Sequence, residues 1–383
     1  MQRTAQYWLV YTLTKSPLLV GLLGVCQFLP MLLFSLFAGV IVDRFPKKRL
    51  LQITQTLFLL QAAALTVLTF TGQIQYWHIL LLSAVYGITQ TIDMPARQSF
   101  VFELVGKEDI MNAISLNSTA INAAKIVGPA IAGIIMLHLG IVLCFFINAL
   151  SYLAVLGGLF LIKVKPHAFQ RAQRRILHEI KDGLRFIKNS EALVIDVLIF
   201  GIVSTFAMNN DVIIPVYAKN VLGMGADGYS LLLTATGLGS LIGALVMASI
   251  SNGGVKKNLL VIGAVGTAAL QAATILTANY IVSLLLLAAI GFINLVFFNT
   301  ANALFQLYTT DEYRGRVMSV YSLLNQGSTP VGNFFAGTVM ENMGGSSGFV
   351  SCGAVTLLLL LPVFLIKWKM IATWVFKKKL GMT

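Results

Sequence analysis

Apolar residues in this chain come in long unbroken runs, parted by short polar breaks. The runs cover residues 1–13, 17–42, 49–70, 77–104, 111–137, 140–162, 191–218, 228–250, 258–277, 280–306, 317–340 and 347–366. An α-helix rises 1.5 Å per residue, so about 20 apolar residues cross the hydrocarbon of a bilayer. Eleven of the twelve runs are close to that length or longer, and each predicts a transmembrane helix. The first run has only 13 residues before the turn Thr14-Lys15-Ser16-Pro17. On this reading it is the second half of a crossing, truncated at its N-terminal side, whose first half precedes Met1.

The longest polar break, 163–190, leaves six runs on either side. It divides the chain into an N-terminal helical bundle (1–162), a linker (163–190) and a C-terminal bundle with a basic tail (191–383). Within the linker Ile176, Leu177, Ile180, Leu184 and Ile187 recur at helical spacing, while Arg174, Arg175, Lys181, Arg185 and Lys188 fall on other faces. This pattern predicts an amphipathic helix lying against lipid headgroups. The halves are also related by a shift of 204 residues: Gly87 meets Gly291, Glu108 meets Glu312, Ser115 meets Ser319, Val127-Gly128 meets Val331-Gly332, and Ala132-Gly133 meets Ala336-Gly337. Six-plus-six duplication is the plan of many secondary transporters, with the substrate site between the halves.

Composition agrees with lipid as the solvent. Of 383 residues, 57% are hydrophobic and 11% charged, against about 25% charged in soluble domains. The net charge of +13 is sorted by loop. The loops 43–49, 105–110, 163–190, 251–257, 310–316 and the tail from Lys367 carry 22 of the 27 Lys and Arg, and the opposite loops hold only Lys15 and Lys219. Positive loops stay in the cytoplasm, which predicts a multi-pass protein of the cell (inner) membrane with its C-terminus inside. The same sorting argues against nucleic acid as the partner, and no aromatic-and-basic platform accompanies the charge. Cys26, Cys144, Cys352 and the four histidines are scattered without metal or redox spacing. No Gly-x-x-x-x-Gly-Lys loop for nucleotide and no catalytic constellation stands out. Neither a cofactor nor a metal nor an enzymatic reaction is implied, and the energy source is an ion or substrate gradient.

Charges and polar groups inside the apolar runs are the candidates for function, because a charge at that depth needs a partner or a purpose. Asp93 and Lys125 both fall near mid-depth of their runs, and Arg97 is one turn from Asp93. Two readings stand for this trio: a static ion-pair network, or a proton or substrate site with Lys125 and Arg97 balancing the carboxylate. In the seventh run Asn209-Asn210-Asp211 precedes Pro215, a polar, proline-interrupted stretch of the kind that lines transporter cavities. Its counterpart in the first run is Gln2 and Arg3. Asp93 and Asp211 are the two carboxylates expected to respond to protons.

On the turn after the second run stands Gly39-Val40-Ile41-Val42-Asp43-Arg44-Phe45-Pro46-Lys47-Lys48-Arg49. Further on come Asp93-Met94-Pro95-Ala96-Arg97-Gln98-Ser99-Phe100 and Asn112-Ala113-Ile114-Ser115-Leu116-Asn117-Ser118, then Gly128-Pro129-Ala130-Ile131-Ala132-Gly133. The first string resembles the signature of the major facilitator superfamily, with Pro46 where a glycine is usual. The second and third are similar to the branch that includes the enterobactin exporter, the macrolide efflux proteins and the lysophospholipid transporter. Gly128, Pro129 and Gly133 resemble the antiporter motif of exporters, although tight helix packing explains such residues equally well. The resemblance covers nearly the whole chain and implies an all-α polytopic protein of two six-helix bundles related by a pseudo-two-fold repeat. It implies a secondary active transporter working by alternating access, with proton-coupled efflux of a small amphipathic drug-like or siderophore-like molecule as the leading function. Its partners are the small-molecule substrate, the proton and membrane lipid. A lipid or lysophospholipid flippase of the same fold is the alternative. A membrane-embedded sensor or enzyme would need a catalytic cluster or a soluble domain, and the sequence offers neither. The resemblance also implies a conformational latch formed by Gly39, Asp43, Arg44, Lys47, Lys48 and Arg49. Arg316 at the start of the eleventh run is the expected partner of Asp43 in an outward-open state.

Overall fold

The computed structural model describes residues 1–105, 109–162, 176–250, 254–310 and 312–376; the side chains of Asp43, Ser115 and residues 176–180 lie outside that description, as do Glu108 and the linker segment 163–175. The first bundle comprises α1 (Gln2–Thr14), α2 (Pro17–Arg44), α3 (Lys47–Phe70), α4 (Tyr76–Val105), α5 (Ile110–His138) and α6 (Ile141–Leu161). Helix α7 (Ile176–Asn189) follows. The second bundle comprises α8 (Glu191–Phe206), α9 (Asn210–Asn220), α10 (Ala226–Ile250), α11 (Asn258–Ala273), α12 (Tyr280–Leu307), α13 (Arg314–Ser322), α14 (Thr329–Met343) and α15 (Ser347–Ile366), with α16 (Trp368–Phe376) after it. Every predicted run coincides with one helix or two consecutive helices, with ends matching to within four residues. Ten stretches among the described residues are long and apolar enough to cross a membrane. The other two runs are α1, with 13 residues, and the α13–α14 pair, interrupted by a π-helical turn at Leu323–Gly327.

Side-chain caps fix several helix starts. The Ser16 hydroxyl accepts from Leu19 N (3.3 Å) ahead of Pro17, and the Asn279 carbonyl accepts from Ile281 N (2.9 Å) and Val282 N (3.2 Å), each satisfying amides that a helix N-terminus leaves unpaired. Two features depart from the sequence pattern. Helix α7 does not simply lie on headgroups: Phe186 stacks on Tyr313 of α13 at 4.5 Å, Ile187 is buried, and Gly183 sits against Arg316. The missing side chain at Gly183 lets α7 dock on α13. The tail after Lys367 forms α16, whose Ile371 and Trp374 are buried one turn apart, with Trp374 stacked over Tyr308.

The 204-residue repeat is visible as equivalent contacts. Gly87 of α4 packs on the Gln27 carbonyl of α2, and Gly291 of α12 packs on the Thr236 carbonyl of α10. Gly128 of α5 faces the start of α1, and Gly332 of α14 faces Thr205 near the end of α8. Gly133 of α5 touches Ser230 of α10, and Gly337 of α14 touches Pro17 and Gly21 of α2. The last two contacts join the bundles across the pseudo-two-fold axis. Both lie in the half of the molecule away from the basic loops. That half also holds Tyr11 donating to Asn220 (2.5 Å) and Glu341 accepting from the Ser16 hydroxyl (2.7 Å) and from Leu18 N (3.1 Å). Among the described residues nothing lies within 4 Å of the place a side chain would take at Gly39, in the basic half of α2, and the neighbouring Leu33 and Phe37 are exposed. The bundles are therefore closed together on the lysine-poor face.

A side chain at Gly291 would collide with the α10 backbone, and overpacking of this kind costs about 1–3 kcal/mol. Gly291→Val is expected to lower the midpoint of thermal unfolding in detergent. Gly157→Ala, on an α6 face where nothing among the described residues lies within 4 Å, is expected to leave it unchanged.

Candidate functional site

The seventh run is not one helix. It breaks at Ala207–Asn209, where the chain leaves α8 and re-enters as α9, while Pro215 sits inside α9. The polar stretch is thus a helix break placed before the proline rather than at it. The carbonyls released at the break are met by side chains: the Asn209 amide donates to Thr205 O (3.0 Å) and Phe206 O (2.9 Å), and Gln271 donates to Ala207 O (2.7 Å). Irregular backbone is tolerated at membrane depth under that condition. Asn209 is buried by this duty, whereas Asn210 and Asp211 face a cavity.

Asp211 stands in the first turn of α9, where the helix dipole favours a carboxylate. Its Oδ2 meets Arg3 Nη2 of α1 at 2.6 Å, an ion pair that joins the two bundles. The Arg3 guanidinium also lies over the Phe28 ring, 4.8 Å from its centroid. The cavity around the pair has a volume of about 420 Å³ and is lined by both bundles, with Lys125 and Pro129 of α5 opposite Thr236 and Ser240 of α10. On the other side of Arg3 a smaller cavity of about 170 Å³ is lined by Gln2, Gln6, Gln27, Tyr86, Asn148 and Tyr152. A ladder of amides runs through it: Gln2 donates to Gln61 (2.8 Å), Gln27 to Gln6 (3.4 Å), and Asn148 to Gln2.

Asp93 occupies a different environment. It is 2% exposed and accepts from the Thr54 hydroxyl (2.7 Å), the Gln55 amide (2.8 Å) and Arg97 Nη2 (2.7 Å) and Nε (3.2 Å). These bonds clamp α4 to α3. The grouping of Lys125 with Asp93 and Arg97 is therefore corrected: the Asp93 face of α4 turns toward α3, while α5 packs on α10 and carries Lys125 into the cavity of Arg3 and Asp211. Gly128, Pro129 and Gly133 follow the same face of α5, against α1, the cavity and Ser230 respectively.

In the basic turn, Lys47 Nζ donates to Val42 O (2.5 Å) and Lys48 Nζ to Ile162 O (2.7 Å). Two lysines thus close the carbonyl ends of α2 and α6, where positive charge is favourable. Arg44 and Arg49 are exposed. Arg316 has Asp182 of α7 at 3.7 Å and lies over the Tyr313 ring. The expected contact with Asp43 falls on a side chain outside the described residues.

Three features were missed in the sequence. The glutamine ladder was announced by Gln2 and Gln6, four apart, and by amides at 27 and 61 inside apolar runs. Glu341 fell just beyond the eleventh run. Asp196, the sixth residue of α8, is fully buried, and neither carboxyl oxygen has a hydrogen-bond partner among the described residues.

The profile of the family described as transmembrane secretion effector matches residues 1–374. The chain belongs to this family of the major facilitator superfamily. It is 26% identical to a staphyloferrin A transporter of Staphylococcus aureus, over 95% of this chain and 91% of that protein. It is 24% identical to the multidrug efflux pump Tap of Mycolicibacterium fortuitum, over 94% of this chain and 90% of that one. The fold is similar to that of the nucleoside transporter NupG, with a TM-score of 0.75 at 11% identity, covering 96% of this chain and 94% of that one. The protein is a multi-pass membrane transporter and not an enzyme.

Within this transporter, truncation of Asp93 would strand buried donors at a cost of about 1–3 kcal/mol. Asp93→Ala is expected to lower thermal stability by that amount. Lys125→Gln, which alters a side chain facing the cavity, is expected to stay within about 0.5 kcal/mol of the parent. Thermal unfolding of both variants in one detergent checks the contrast.

Proposed function

We propose that this transporter exports a small amphipathic molecule, drug-like or siderophore-like, across the cell membrane in exchange for protons. The observation that carries the reading is the Arg3–Asp211 pair, a charged bridge between the two bundles inside the cavity they share. Protonation of Asp211 would cancel the bridge, release the guanidinium and change the contact between the bundles in the same step. Asp93 is poorly suited to that task, because four hydrogen bonds from Thr54, Gln55 and Arg97 hold it inside the first bundle, away from the cavity the bundles share. Efflux as the direction is supported by the similarity to Tap, an efflux pump, and by the Gly128-Pro129 element of α5. With the basic loops in the cytoplasm, the closed lysine-poor face is extracellular, and cargo enters from inside.

Transport in proteoliposomes tests the coupling. Asp211→Asn is expected to reduce export driven by a pH gradient at least tenfold and to flatten its pH dependence. A mutant that keeps full pH-dependent export would sink Asp211 as the coupling group.

Alternating access makes a second demand, that the outer contacts break. Glu341→Gln removes a charge that faces the N-terminus of α2. It is expected to raise, several-fold, the labelling of Ser230→Cys by a membrane-impermeant thiol reagent added outside. The native cysteines are replaced by serine for this measurement, and an unchanged labelling rate would remove Glu341 from the closure.

A further inference from the structure

The cavity between the bundles is unbalanced in charge. Arg3, Lys125 and Asp211 all line it, and Arg3 takes up Asp211 at 2.6 Å. Among the described residues no carboxylate lies within ion-pair distance of Lys125. An ammonium group carries three donors and a guanidinium five, so most of the donors in this cavity are not used by Asp211. A cation in a membrane interior needs an anion or water close by, and the protein supplies one carboxylate to two cations. Hydroxyls of Thr4, Thr236 and Ser240 add polar surface beside the cations, while Met208, Leu233, Leu241 and Leu295 make an apolar wall.

We infer that the cargo is an amphipathic anion whose carboxylate or phosphate binds Lys125 and Arg3. The apolar part of the molecule lies along the leucine wall. Lys125 is a specificity residue: it separates acidic cargo from neutral and cationic molecules of the same shape. Lysine serves here as a point charge on a flexible stem, so arginine at this position retains the selection and glutamine loses it. The inference rests on the reading of this cavity as the cargo site.

The test is binding to the purified full chain in a non-ionic detergent, with two matched pairs of ligands. Deoxycholate and its methyl ester represent a free amphipathic acid, and oleoyl lysophosphatidic acid and monoolein represent a lipid headgroup. At least one acid is expected to bind tenfold or more tightly than its neutral partner. The pair that shows the preference tells a soluble acid from a lipid phosphate as the source of the anion. Lys125→Gln is expected to abolish the preference and Lys125→Arg to keep it, while both variants unfold at the temperature of the parent. Equal or absent binding of acid and neutral partner in both pairs overturns the inference, and so does a preference that survives in Lys125→Gln. Export assays on the same protein keep the two readings apart. Export of neutral or cationic compounds without acid selection leaves the exporter standing and removes the anion. Failure to export any compound removes the exporter itself.

Discussion

Helices in hydrocarbon gain little by hiding apolar surface from one another, because lipid tails are as apolar as leucine. What joins them must act at short range, through backbone approach and polar bonds. That constraint explains where the glycines of this chain fall. Gly87 and Gly291 each rest on a carbonyl of a neighbouring helix in their own bundle, and Gly133 and Gly337 each rest on a helix of the other bundle. Large side chains such as Leu33, Phe37, Leu245 and Leu285 are turned outward and remain exposed. The repeat is therefore written in small residues. A leucine facing lipid has many substitutes, whereas a glycine at a backbone crossing has few.

The same low dielectric sorts the polar groups into two kinds. Asp93 is surrounded by donors from α3 and α4 and acts as a clamp within one bundle. Arg3, Asp211 and Lys125 line open space, and only the first two are paired. Between these kinds stands Asn209, which looks like a cavity residue in the sequence but spends its amide on the carbonyls of a broken helix. The break has a purpose in this arrangement. It brings the start of α9, with Asn210 and Asp211, to the cavity and fixes Asp211 beside Arg3.

Much of this was legible in the sequence because a run of some 20 apolar residues is a strong signal, and helix ends followed from it closely. Rotation about a helix axis was less legible. Depth alone put Lys125 level with Asp93, yet the two side chains leave their helices toward different neighbours. The counterpart relation between Arg3 and the Asn209–Asp211 stretch was visible, but the ion pair across the bundles was not, since it depends on how the halves are closed. Helix α16 was hidden by its length of nine residues and by the basic residues around it, which read as a tail. Its burial of Ile371 and Trp374 depends on the surface of the second bundle. Pro215 misled in a different way. Proline bends a helix only where its ring displaces a carbonyl four residues back, and here that residue is Asp211, at the very start of α9, where little helix remains to be bent.

The closure of the lysine-poor face shows how such a molecule can stay poised. Its two glycine contacts, Gly133 on Ser230 and Gly337 on Gly21, are related by the repeat and come from smooth surfaces that hold through dispersion. Smooth surfaces part without breaking a directional bond, so they set no strong preference between closed and open. The directional bonds are distributed unevenly. Glu341 binds Ser16 and the Leu18 amide between α14 and α2, while the repeat places Leu137 at the equivalent position of α5. Two states of similar energy exchange population several-fold for each 1 kcal/mol of bias, roughly, and a partly exposed carboxylate at a helix N-terminus contributes about that much. The symmetric contacts therefore make the motion possible, and the asymmetric ones decide which way the transporter rests.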